Sequence, residues 1–134
     1  YVKSNGQISV SGARVSSNET MGIYLFSTLS GVNLSSSLVE GNKYAGVYIK
    51  SAGNVTVNTL NSFYNGWWDG DNGLTVDAKV VSGTPPFVTI SNSNFLGNFN
   101  IGLYLLLNAP KEAHYTLINV TSIGNMLANI VVDE

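Results

Sequence analysis

Apolar residues in this chain come in pairs set two apart. Ile8/Val10, Val32/Leu34, Val55/Val57, Val88/Ile90 and Tyr115/Leu117 each bracket one polar residue. A period of two is the strand period and puts both members on one face. Ten residues after the first member of every pair stands an asparagine: Asn18, Asn42, Asn65, Asn98 and Asn125. Between pair and asparagine lies a second set of small or apolar positions, at offsets +5 and +7: Ala13/Val15, Ser37/Val39, Leu60/Ser62, Ser93/Phe95 and Val120/Ser122. A third apolar pair follows at +15 and +17: Ile23/Leu25, Val47/Ile49, Leu103/Leu105 and Ile130/Val132, with Leu74/Val76 displaced by four residues in the third unit. Three short strands per unit, joined at corners rich in Gly, Asn and Ser, predict one coil of a three-sided β-solenoid. The expected coils lie near 6–28, 29–51, 52–84, 85–110 and 111–134, in a single all-β domain spanning 1–134.

One coil cannot bury its apolar side chains alone. Stacked at about 4.8 Å, coils pair every strand above and below and align like residues in columns. The asparagine column predicts a structural ladder of amides bonded from coil to coil. Its place at a corner predicts positive φ at the asparagines themselves, since Asn tolerates that region better than most residues.

The segments VTISNSNFLGNFNIGLYL (88–105) and VTVNTLNSFYNG followed by NGLTV (55–76) resemble coils of the right-handed parallel β-helix, or pectate-lyase-like, superfamily. The resemblance covers nearly the whole chain. It implies a right-handed parallel β-helix, a fold shared by polysaccharide lyases and hydrolases, carbohydrate-active repeats and bacterial or archaeal surface adhesins and fibre proteins. It is specific for fold and not for function.

Composition narrows the rest. Charged residues are only 10% of the chain, the formal net charge is −2, and the few Lys and Arg are scattered. That excludes the clustered basic surface nucleic acid requires. There is no cysteine, hence no disulfide and no thiolate metal site. The longest apolar run, 101–107, is far too short for a membrane span. The chain opens at Tyr1 without an export signal and reads as a mature or excised piece of a secreted, extracellular or cell-surface protein. No polar cap is visible at either end. The expectation is self-association end to end through the terminal coils, or neighbouring coils of a longer chain.

Chemistry concentrates in one place. The stretch NGWWDGDNGLTV (65–76) carries both tryptophans, and its asparagine lies nine residues before Leu74 instead of five. It is a standard corner with a four-residue insertion, and insertions leave solenoids as outer loops. Trp67 and Trp68 fit three roles: packing back over adjacent coils, contact with a protein partner, or stacking on a glycan. Asp69, Asp71 and Asn72 are a weak calcium candidate; DGDNG is shorter than an EF-hand loop, and solvated turn residues are the favoured reading. Tyr24, Tyr48 and Tyr104 form an outward stripe, read either as cross-strand stabilisation or as a contact surface. At offset +18, Lys50 beside Asp77 reads as a surface ion pair of small value. Asp77 and Asp133 fall two coils apart with Leu106 between them. No acidic and basic constellation emerges, so no catalytic residue, enzyme activity or required cofactor is expected.

Overall fold

The computed structural model describes residues 1–78, 85–107 and 114–133. It is an all-β parallel solenoid. A short strand, β1 (Val2–Ser4), precedes the first coil, which holds β2 (Ile8–Ser11), β3 (Arg14–Ser16) and β4 (Ile23–Ser27). In the second coil one long strand, β5 (Val32–Glu40), runs through the first two sides and β6 (Val47–Ser51) forms the third. The third coil repeats this with β7 (Val55–Phe63) and β8 (Leu74–Ala78). The fourth has β9 (Val88–Ser91), β10 (Asn94–Leu96) and β11 (Ile101–Leu106), and the fifth β12 (Tyr115–Ile118), β13 (Thr121–Ile123) and β14 (Ala128–Asp133).

The third side stacks in the order β1-β4-β6-β8-β11-β14. The first and second sides are joined into one bent sheet because β5 and β7 continue around their common edge. Every pairing is parallel, and the register follows the sequence offsets. Ile8 pairs with Val32, Val32 with Val55, Val55 with Val88, and Val88 with Tyr115. On the third side Ile23 pairs with Val47, Val47 with Leu74, Leu74 with Leu103, and Leu103 with Ile130. The four-residue shift in the third unit is therefore absorbed before β8. The segments 77–87 and 106–114, which hold Pro85, Pro86 and Pro110 and read from the sequence as inter-coil insertions, have their centres, 79–84 and 108–113, outside the described residues.

The core is the column set that the periodicity picks out: Val32, Val47, Ile49, Val57, Leu74, Val76, Ile90, Leu103 and Leu105 are all fully buried. Phe95 fills the second-side column where the coil below offers only Ser62.

Outside the inserted loop, where Gly66 and Gly70 adopt it, positive φ is a property of two columns, and neither is the asparagine column. At offset +4 stand Gly12, Ser36, Thr59, Asn92 and Asn119; at offset +9 stand Ser17, Gly41, Tyr64, Gly97 and Gly124. The expectation that the ladder asparagines adopt this conformation is corrected: the residue before each of them does. The left-handed residue turns the corner, and the asparagine that follows is thereby aimed inward, where its amide meets the next coil.

Candidate functional site

The asparagine ladder is continuous. Asn18, Asn42, Asn65 and Asn98 each donate from Nδ2 to the Oδ1 of the next asparagine, at 2.8, 2.8, 3.1 and 3.0 Å. The backbone N–H of the same four donates to the same oxygens at 2.9–3.1 Å. Asn42, Asn65 and Asn98 have no solvent exposure. A buried amide left unpaired costs about 1–3 kcal/mol, so a ladder of this kind must be fully satisfied to be tolerated. The spare amide hydrogens complete it. Asn65 Nδ2 also reaches Val39 O and Ser62 Oγ, Asn98 Nδ2 reaches Ser62 O, and Asn125 Nδ2 reaches Phe95 O and Ser122 Oγ.

Two supporting features do not follow from the apolar periodicity. The inward serines Ser62 and Ser122 stand three residues before a ladder asparagine and receive its amide. A glycine column (Gly22, Gly46, Gly73, Gly102) packs directly against the ladder. A Cβ on Gly46 would lie 2.5 Å from Ser62 Oγ and 2.7 Å from Asn65 Nδ2. Both have a signal in the chain, as Ser-x-x-Asn and as the glycine just before Ile23, Val47, Leu74 and Leu103 in the first four coils.

The inserted loop leaves the ladder at Asn65. Gly66 has φ 79°, and a Cβ there would collide with the Asp71 backbone, so the loop doubles back on itself. Gly70 N–H donates to Gly66 O at 2.9 Å and closes one turn, which is how four extra residues fit without moving Leu74. Trp68 N–H donates to Lys43 O and Gly66 N–H to Asn42 O and Tyr44 O, tying the turn to the second coil.

Trp67 and Trp68 are 47% and 64% exposed. Their ring centroids lie 6.1 Å apart at 88°, edge to face, so they do not form one flat platform. Lys43 Nζ sits 4.5 Å from the Trp68 ring centre and 5.9 Å from that of Trp67, and pairs with Glu19 at 3.0 Å. The tryptophans thus carry a cation from the coil below on their faces. Asp71 is held above the usual carboxylate range, first by burial and then by the nearby charge of Asp69, against an opposing hydrogen bond from the Ala45 backbone. Asn72 is committed to the fold: its Oδ1 accepts Ile101 N–H at 3.2 Å and its Nδ2 donates to Thr75 Oγ1 at 2.9 Å. Among the described residues no group of three or more His, Cys, Asp or Glu side chains comes together.

The tyrosine stripe is packed rather than loose. Tyr1, Tyr24 and Tyr48 stack edge to face at 5.0 and 5.3 Å. Buried Thr75 interrupts the column before Tyr104. Each of Tyr48 and Tyr104 reaches an aspartate one coil on. Tyr104 Oη donates to Asp133 Oδ2 at 2.5 Å, which raises its hydroxyl's pKa, and Tyr48 Oη lies 3.5 Å from Asp77 Oδ2. Burial, followed by the charge of Asp77, raises the Tyr48 hydroxyl as well. Beside this stripe, Lys3 and Lys50 flank the Phe26 ring at 5.4 and 5.7 Å. The Lys50–Asp77 pair, 3.6 Å long, is not the exposed pair that the outward position implied, because the Asp77 side chain is only 4% exposed. Periodicity tells which side of the sheet a residue leaves from, and not whether something covers it there.

The structure brings the loop residues Trp67, Trp68, Asp69 and Asp71 together with Lys43 and Glu19 at one corner, and places Tyr24, Tyr48 and Tyr104 on the outer face of the third side. No family model matches this chain, and no curated protein or solved structure is significantly similar to it.

Proposed function

We propose that this chain is a structural β-solenoid of an extracellular or cell-surface scaffold. In this reading its coils are continued end to end, by further coils of an adhesin-like chain or by a second copy in a fibre. The observation that carries it is the uneven cover of one column. Leu74 and Leu103 are fully buried, whereas Ile130, in the same register at the outer rung of the same side, is 40% exposed. Ile123, Met126 and Leu127 of the fifth coil are exposed as well. Apolar side chains and strand edges of this kind are stabilised by another rung. The low charge and the resemblance to parallel β-helix surface proteins support the same reading, as does a ladder whose asparagines serve packing rather than chemistry. Size-exclusion chromatography with negative-stain microscopy tests the self-stacking form. Rods that lengthen with protein concentration are expected, and a compact monomer at high concentration overturns it.

A second reading is favoured by the exposed Trp67 and Trp68: a carbohydrate-binding solenoid that uses the inserted loop and the tyrosine stripe. With rings at 88°, a sugar would stack on one indole at a time. Binding on a glycan array that disappears in Trp67→Ala/Trp68→Ala would place this reading first, and an unchanged or empty array would remove it.

A further inference from the structure

We propose that the corner bearing Tyr64, Trp67 and Trp68 binds a neutral, extended glycan that runs along the solenoid axis. The inference rests on the carbohydrate-binding reading and names its ligand class and a further contact.

The corner presents aromatic rings on more than one coil level. The 66–70 turn is tied to the second coil by the Trp68 N–H, which donates to Lys43 O at 3.2 Å. Tyr64 leans the other way. A Cβ on Gly97, in the fourth coil, would lie 2.5 Å from Tyr64 Cε1, so the ring covers that glycine and depends on its lack of a side chain. Tyr64 is nonetheless 62% exposed. Exposed rings therefore lean on the second coil and on the fourth, two rungs or about 10 Å apart.

Tyr64 is also held at a cost. Its column otherwise carries Ser17, Gly41, Gly97 and Gly124, and among the described residues it is the one aromatic in the left-handed region, at φ 54°. A bulky side chain there is an outlier. Backbone strain of this kind clusters at ligand clamps and other functional sites.

Charge selects the ligand. Lys43 Nζ already lies 4.5 Å from the Trp68 ring centre and repels a second cation. Its own charge is answered by Glu19 at 3.0 Å. That leaves exposed Asp69 and half-buried Asp71 to repel an anion. What fits is an uncharged molecule with an apolar face for the rings and hydroxyls that donate to the carboxylates, and a neutral sugar has both. With rings at 88° the indoles offer no continuous apolar patch. The turn is also small beside the roughly 800 Å² per partner of a stable protein interface. A chain of sugar rings laid along the axis would meet an indole and then Tyr64, whereas a single sugar reaches only one of them.

Native affinity electrophoresis tests this in gels cast with hydroxyethyl cellulose, with galactomannan or with polygalacturonate. Retardation by at least one of the two neutral polymers is expected, unchanged by added salt, with none by polygalacturonate. Trp68→Ala is expected to abolish it. Tyr64→Gly relieves the φ strain and keeps the fold, which circular dichroism checks. It is expected to weaken binding of the neutral polymer about tenfold, the worth of one stacked ring. Retardation by polygalacturonate, or binding that salt abolishes, overturns the neutral ligand while leaving the glycan reading intact. Full retention of binding by Tyr64→Gly overturns the axial path, and the proposal with it. No retardation in any of the three gels overturns the proposal and the glycan reading together.

Discussion

Leu103 and Ile130 are direct partners on the third side, in the fourth and fifth coils. Leu103 is fully buried and Ile130 is 40% exposed. Neither residue type nor strand position accounts for the difference; what differs is whether a rung lies on both sides or on one. The same contrast runs through the ladder. Asn65, in the middle, is fully buried and bonded on both sides, while Asn125, at the outer rung, bonds one coil and its own corner. In a solenoid, stability is a sum over neighbouring coils, so identical residues count differently by position.

The widest separation is expected in the ladder. Asn65→Ala strips Asn42 of the acceptor for both its N–H and its Nδ2, and strips Asn98 Oδ1 of its side-chain donor. With buried groups left unpaired, the loss is about 4 kcal/mol; Asn125→Ala takes the same two acceptors from Asn98, but at a half-exposed rung that water reaches, so its loss is smaller, about 2 kcal/mol. Denaturant titration of the two variants checks it, and equal losses would erase the contrast. The core pair comes next. Leu103→Ala should cost about 3 kcal/mol and Ile130→Ala about 1 kcal/mol, since a half-covered side chain has less transfer energy to lose. If stacking occurs, the Ile130 cost should rise with protein concentration.

The smallest effect has the opposite sign. Thr59 is β-branched at φ 57°, in the column where the fourth and fifth coils use Asn92 and Asn119. Thr59→Asn should stabilise the protein by about 1 kcal/mol, the cost of a β-branched residue in the left-handed region. A lower melting temperature for this variant would show that Thr59 carries no such strain.

Much of this architecture is legible in the chain. The offsets 0, +5 and +15 translate into strand registers residue by residue, and Asn18 through Asn125 form the ladder. The four-residue insertion falls where the spacing puts it, as the WWDG turn. What stays hidden has a common cause. Side-chain period reports which face a residue leaves from, and says nothing of backbone handedness. The left-handed conformation therefore belongs to Ser17, Gly41, Tyr64, Gly97 and Gly124, one position before the asparagines for which it was expected. Nor does period report cover, and so Asp77 is buried although its offset points outward. The placing of Lys43 over the indoles depends on how the 66–70 turn closes, which no repeat encodes because it occurs once.

The solenoid depends on central amides that are bonded coil to coil and shielded from water. Side-chain hydrogen exchange by NMR tests this directly. The Nδ2 protons of Asn42, Asn65 and Asn98 should exchange only with unfolding, far more slowly than those of the outward-facing Asn33. Exchange of Asn65 at the rate of Asn33 would contradict the ladder.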